Sequence, residues 1–495
     1  MRERRRTPPF RLRRGLTVLL SCFCITSTGA GATVRSDHLR VPLHVLPGDT
    51  VPSGRLIERV ASAADPARSY ALLLPPGHGD GTPRPLLLVL DPRGRAARAL
   101  DLFRRPAARR GWIVMSSYDT RSDTTGDVNE EALRAMIADA NDRLGVDGRR
   151  LYLAGFSGTA RIGWVVASTL SDHVAGLVGV GAGFPPALET MMRTDARTLP
   201  ASFSFWGGAG RLGFNHDEVR RLDATLDQLG IRHRIEFYPG RHGWLPPEHA
   251  AAAIDWLELQ AMRSGLAARD DALVDSLHRS ALAAARSAEA AGRPVEALRR
   301  WQRVADDFAG LRPVADARAG VRALEDHPAV RRRRERLERE ARQREAFLER
   351  MREVLEEDSG LGPADAAEEL ELEALRRRAA GTGDTLDAQA AGRLLEQLYV
   401  QTSFYLPRRA LRGGEPGRAL AYLELAERAR PDRRRTAWFR ARALAQAGRE
   451  REAVAELREL VGAGVPRSAL ADDPWLAPLR KAPGWRELVE GGSSP

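Results

Sequence analysis

The stretch that most constrains how this chain folds is Leu151 to Ala160, LYLAGFSGTA, where an apolar run stops abruptly on a serine set among small residues. The pattern predicts a strand, a sharp turn carrying Ser157, and a helix, since the helical stretch ARIGWVVASTL follows at once. A strained turn of this kind lifts a hydroxyl above the end of a sheet. It needs room on both sides of the serine, and Gly155 and Gly158 supply it.

Apolar runs recur around this stretch with spacers of helix length: SYALLL (69–74), LLLVL (86–90), WIVMSS (112–117), VAGLVGV (174–180), SFSFW (202–206) and RIEFY (234–238). Continuous rather than alternating apolarity predicts strands buried on both faces. The helical spacers, such as 95–110, 129–144, 217–229 and 247–262, predict a mostly parallel α/β sheet covered by helices. Before Pro66 the only strand signal is Arg55 to Val60. Ligands bind at the carboxyl ends of such strands, where Ser157 stands. So does His242, in GRHGW after RIEFY, and so does the loop Asp91-Pro92-Arg93-Gly94-Arg95, whose plainest reading is a turn from strand to helix. GVGAG (179–183) runs into Phe184-Pro185-Pro186 instead of opening a helix, so no dinucleotide cofactor is expected. The histidines form no HExxH, and Glu248 beside His249 reads as a helix-start pair; no metal is expected.

LLLVLDPRG, GWIVMSS, LYLAGFSG and YPGRHGW, in this order between Ser69 and Met262, resemble the bacterial esterases of the α/β-hydrolase superfamily related to dienelactone hydrolase and secreted carboxylesterases. The resemblance implies an α/β-hydrolase sheet and ester hydrolysis through an acyl-enzyme. It implies that Ser157 is the nucleophile of a GxSxG turn that here reads GxSxT, with Thr159 at the last position. His242 becomes the general base, and the amides of Gly158 and of the Arg93 region become the oxyanion donors. The acid departs from the pattern. The family aspartate follows the penultimate strand and commonly precedes Phe-Asn, and WGGAGRLGFNHDE puts Gly213 there. Either that place is vacated, or Asp217, the nearest carboxylate with Glu218, serves. Asp217 also reads as the N-cap of the next helix. The short segment between VAGLVGV and SFSFW predicts an open site without a large lid.

The first fourteen residues hold seven arginines and one glutamate, and Leu16 to Ala30 carries no charge. This predicts an export signal over 1–32, cleaved after Ala30-Gly31-Ala32. Twin-arginine export through Arg13 and Arg14, a lipoprotein box ending at Cys22 and an uncleaved anchor are the alternatives. Cleavage takes away a net +6, so the formal +11 of the chain becomes about +5 for what folds. No stable membrane span is expected after it. Lys481 is the only lysine, and the arginines alternate with Glu and Asp along helices, the mark of a solvated face rather than a nucleic-acid surface. Cys22 and Cys24, the only cysteines, lie in the expected signal, leaving no disulfide, thiol nucleophile or thiolate-bound metal.

Past Met262 the strands cease and Ala, Leu, Arg and Glu continue at helical spacing, so the domains are expected at 33–262 and 263–495. GRPVEAL (292–298), GEPGRAL (414–420) and GREREAV (448–454) share Gly, four residues, then Ala and an aliphatic. The last two lie 34 residues apart, and with Trp438, Ala426 and Pro431 they resemble tetratricopeptide repeats. An unrelated helical bundle is the alternative. Val330 to Leu355 predicts a long exposed helix with a narrow apolar stripe. Two functions follow: an exported serine esterase with an ester substrate and a protein-binding helical tail, or a catalytically weak or inactive hydrolase fold acting as a protein-interaction scaffold.

Overall fold

The computed structural model describes residues 54–122, 126–194, 199–356, 360–381 and 385–491. The expected signal, both cysteines and the first residues after the signal lie outside them. Eight strands form one sheet: β1 (Leu56–Ala61), β2 (Ser69–Leu73), β3 (Arg84–Leu90), β4 (Ile113–Ser117), β5 (Val146–Phe156), β6 (Val174–Val180), β7 (Ser204–Gly210) and β8 (Arg232–Tyr238). Their order is β1-β2-β4-β3-β5-β6-β7-β8, with β2 antiparallel to both neighbours and every later pairing parallel. This is the mostly parallel α/β sheet expected from the apolar runs.

The continuous apolarity has the expected cause. Along β3, Leu86, Leu88 and Leu90 enter one core while Leu87 and Val89 enter the other, all at 0% exposure. The first core is closed by α2 (Gly126–Arg143), α3 (Gly158–Thr169) and α5 (His216–Gln228), through Met136, Trp164 and Leu222 among others. The second is closed by α1 (Ala96–Arg109) and α6 (Pro247–Arg263), through Phe103 and Leu257. Among the described residues between β6 and β7 stands one short helix, α4 (Pro186–Thr194). The strand carrying Ser157 is thus central, and β8, which leads to His242, is an edge.

Two compact units divide the chain at Arg334 and Glu335. The change of composition at Met262 marks where strands stop and not where packing stops. In the first unit, α7 (Asp271–Ala290), α8 (Pro294–Asp307) and α9 (Ala315–Leu324) share a core with Leu259 and Met262 of α6, built on Val274, Trp301, Val304 and Phe308. Trp256 Nε1 donates to Asp307 Oδ1 at 2.6 Å, and Arg303 and Asp307 of α8 pair with Glu236 and Arg234 of β8 at 2.7 and 3.4 Å.

The long helix α10 (Pro328–Leu355) forms as expected, but its end is not a solvated stripe. Met351 and Val354 are buried with Leu370, Leu398 and Leu425 in a core of the second unit. That unit continues through α11 (Pro363–Glu369), α12 (Leu372–Ala379), α13 (Leu386–Val400), a π turn at Gln401–Tyr405, α14 (Leu406–Arg412), α15 (Pro416–Ala429), α16 (Arg433–Gln446), α17 (Glu450–Gly462) and α18 (Arg467–Ala471). In the three similar segments, Gly292, Gly414 and Gly448 have φ of 63°, 74° and 74°, the left-handed stop that ends a helix. Ala297, Ala419 and Ala453, five positions on, are each 0% exposed. Each copy is therefore a helix–turn–helix in which glycine makes the turn and alanine admits the neighbouring helix. No helix of the described residues is long and apolar enough to cross a membrane.

Candidate active site

The turn after β5 is built around steric scarcity. Ser157 has φ 58° and ψ −127°, one of two non-glycine residues with positive φ among the described residues. Such a conformation costs about 1–3 kcal/mol and persists only where its surroundings impose it. A Cβ on Gly155 would stand 2.5 Å from the Thr159 carbonyl oxygen, and one on Gly158 would stand 2.6 Å from Ser122 Cβ. Neither position accepts a side chain without movement. Thr159, at the place where the motif has glycine, is fully buried, and its hydroxyl ties the turn to the sheet. Oγ1 accepts from the Phe156 N–H at 3.1 Å and has the carbonyl oxygens of Leu90 and Phe156 within reach. The Ser157 N–H donates to Val180 O of the neighbouring strand at 2.8 Å.

The loop after β8 brings His242 to this serine, with Nε2 at 3.0 Å from Ser157 Oγ. The imidazole packs against Phe156 and Phe214, each ring centroid 4.5 Å from its own. Gly181 leaves room for it, since a Cβ there would come within 3.1 Å of the ring. Two residues on, Trp244 Nε1 donates to Asp91 Oδ2 at 2.8 Å.

Asp91 organises the loop after β3, a role the sequence reading missed when it placed an oxyanion donor near Arg93. It is 1% exposed and also accepts from the N–H groups of Arg93 and Arg95, at 2.8 and 3.2 Å, and from the Arg95 guanidinium at 3.0 and 2.9 Å. Burial alone pushes its pKa up, but the bonds from Arg95, Trp244 and the Arg93 amide, with the charge of Arg95, outweigh it and hold the carboxyl below its ordinary value. The Gly94 N–H donates to Asp91 O at 3.1 Å, and Pro92 has no N–H. Every backbone donor from 92 to 95 is thus absent or engaged. The Arg93 amide, expected at the oxyanion, is turned to Asp91 instead, because an aspartate opening a turn captures the N–H two residues on. The loop after β4 braces this turn: Thr120 Oγ1 donates to Asp91 O at 2.9 Å and the Ser122 N–H to Pro92 O at 3.1 Å.

Gly213 lies against the histidine loop. A Cβ there would stand 3.4 Å from His242 N and 3.2 Å from Gly210 O, and the Leu212 N–H donates to Gly240 O at 2.9 Å. Asp217 is not the N-cap of the helix that follows, because Asn215 holds that position. It sits inside the first turn, 7% exposed, with Oδ1 3.2 Å from His216 Nδ1 and 3.6 Å from Arg220 Nη2. Glu218 is drawn elsewhere, to the Gly183 N–H, Asn215 Nδ2 and Arg161. Among the described residues, no group of three His, Cys, Asp or Glu side chains could hold a metal ion.

No family model matches the chain and no curated protein matches it. Solved structures similar to it include FphF, a fluorophosphonate-binding serine hydrolase of Staphylococcus aureus, at 14% identity and TM-score 0.33, covering 38% of this chain and 92% of that one. A ferulic acid esterase is 14% identical at TM-score 0.33, covering 40% of this chain and 94% of its own. An esterase of the archaeon Pyrobaculum calidifontis is 17% identical at TM-score 0.32, covering 44% and 88%. Likeness at such identities concerns fold and not activity.

Proposed function

We propose that the chain is a serine hydrolase of carboxylic esters. The observation that supports this most directly is the 3.0 Å between His242 Nε2 and Ser157 Oγ, with the serine held at φ 58° between a central strand and a helix. Ser157 Oγ attacks the ester carbonyl carbon while its proton passes to His242. The tetrahedral intermediate expels the alkoxide, which takes that proton and leaves as alcohol. Water, deprotonated by the same imidazole, then attacks the acyl-enzyme and releases the acid and the free serine. The Gly158 N–H begins helix α3, where no intrahelical acceptor exists for it, and is assigned to the oxyanion. Asp217 is assigned as the carboxylate that orients His242. It is buried, and it belongs to the segment after β7 that is bonded to the histidine loop at Leu212–Gly240. Export through residues 1–32 and protein binding by tetratricopeptide-like repeats belong to the same proposal.

A fluorophosphonate should label the wild-type protein and not Ser157→Ala, and the same substitution should reduce hydrolysis of 4-nitrophenyl acetate to background. An unlabelled, folded wild type would reject the enzyme and leave the scaffold reading, in which the helical units bind protein and the serine is idle.

A further inference from the structure

The loop after β3 leaves the oxyanion short of a donor. One N–H, that of Gly158, is at hand, but along 92–95 Pro92 has none and those of Arg93, Gly94 and Arg95 are bound to Asp91. Freeing that of Arg93 or Arg95 would strip a hydrogen bond from a carboxylate that is 1% exposed and is also bound to Trp244, and freeing that of Gly94 would open its turn bond to Asp91 O. A hydrogen bond to a charged group is worth about 1.5–3 kcal/mol, so its loss disfavours rearrangement during each turnover. Ser122 is packed against both segments. Its N–H is bonded to Pro92 O of the same loop, and its Cβ lies 2.6 Å from where a Gly158 Cβ would be. The serine side chain therefore stands at the junction of the two segments between which the negative oxygen develops.

We propose that the Ser122 hydroxyl is the second oxyanion donor, in place of a backbone amide from the loop after β3. A hydroxyl turns about its own bonds and can exchange a resting partner for the developing oxyanion, so it donates in the transition state without disturbing Asp91. The inference rests on the esterase reading above.

The test compares wild type, Ser122→Ala and Ser122→Thr for hydrolysis of 4-nitrophenyl acetate and for inhibition by phenylboronic acid, whose adduct with Ser157 places an oxygen at the oxyanion position. Ser122→Ala should lower kcat about 10²-fold with little change in KM. The boronate inhibition constant should rise by a comparable factor, and Ser122→Thr should restore both in large part. A purely structural role would lower the melting temperature without this parallel. An Ser122→Ala enzyme that turns over and binds boronate like wild type overturns the proposal while leaving the esterase reading intact. A wild type without Ser157-dependent turnover overturns both.

Discussion

Replacing Thr159 by valine keeps the shape of a side chain at 0% exposure and removes only its hydroxyl. The Phe156 N–H then loses its 3.1 Å acceptor, and the carbonyl oxygens of Leu90 and Phe156 lose the one proton that a hydroxyl can give to either. A buried donor or acceptor left without a partner costs about 1–3 kcal/mol. One stranded N–H and one carbonyl, the latter with a second lone pair, bring the loss to about 2–4 kcal/mol. Thr159→Ser should recover most of this, forfeiting a methyl worth about 0.8 kcal/mol. Thr159→Gly, although it recreates the common motif, should be no better than valine, since it loses the same bonds and adds about 1 kcal/mol of helix penalty. The same bonds hold the residue before a serine at φ 58°, so turnover should fall with stability. Urea unfolding by tryptophan fluorescence suits the measurement, because the fully buried Trp112, Trp164 and Trp206 all lie in the first unit. A valine variant within about 0.5 kcal/mol of wild type, near the limit for a harmless surface change, with an unchanged rate would refute the reasoning.

Three further outcomes are expected. If Asp217 orients His242, Asp217→Asn should cost up to about 10⁴ in kcat and Gly213→Asp should not help, since its new Cβ must push on Gly210 O at 3.2 Å; a tenfold gain in the glycine variant with little loss in the other would transfer the acid's place to 213. A chain ending at Arg334 should melt as wild type does in its first unit, whereas one ending near Gly265 should lose stability, because Val274, Trp301 and Val304 no longer cover Leu259 and Met262; equal melting by calorimetry would reject the longer boundary. His233 is desolvated, which lowers its pKa, but Asp223 Oδ1 at 3.1 Å and Ile231 O at 2.8 Å outweigh this and raise it above 6.5. Its contribution is complete below the unfolded value and fades as pH rises through the folded one, so the urea midpoint should decline upward from about pH 6.5, and an Asp223→Asn variant with the same slope would contradict this.

The strands were legible because a strand buried on both faces has no polar positions to interrupt it, and Leu86 to Leu90 belongs to two cores at once. The nucleophile turn was legible because few residues tolerate its crowding, and Gly155 and Gly158 announce it. The oxyanion loop was not. Whether an amide such as that of Arg93 is available depends on where the Asp91 carboxylate turns, and that is fixed by Arg95 and by Trp244, 153 residues away. Ser122 gave no local signal, since its approach to Gly158 follows from β4 and β5 lying on either side of β3. Composition misplaced the boundary because helices α7 to α9 look like those of the second unit in sequence while they bury their apolar faces on α6. Asp217 looked like a cap because that reading starts the helix two residues later than it begins.

The position of β8 at the rim of the sheet gives the helices after Met262 a task in solution behaviour. A rim strand offers unpaired backbone groups to any passing chain, and proteins discourage this with charge and with cover. Here Arg232, Arg234 and Glu236 interrupt the strand with charge. From α8, Arg303 donates to Ile235 O at 3.5 Å and pairs with Glu236, while Asp307 engages Arg234. A protein shorn of α8 would therefore bare both a greasy face on α6 and a strand edge whose arginine and glutamate have lost partners. Its characteristic failure in the test tube would be self-association through the very strand that delivers His242, with precipitation and loss of activity arriving together.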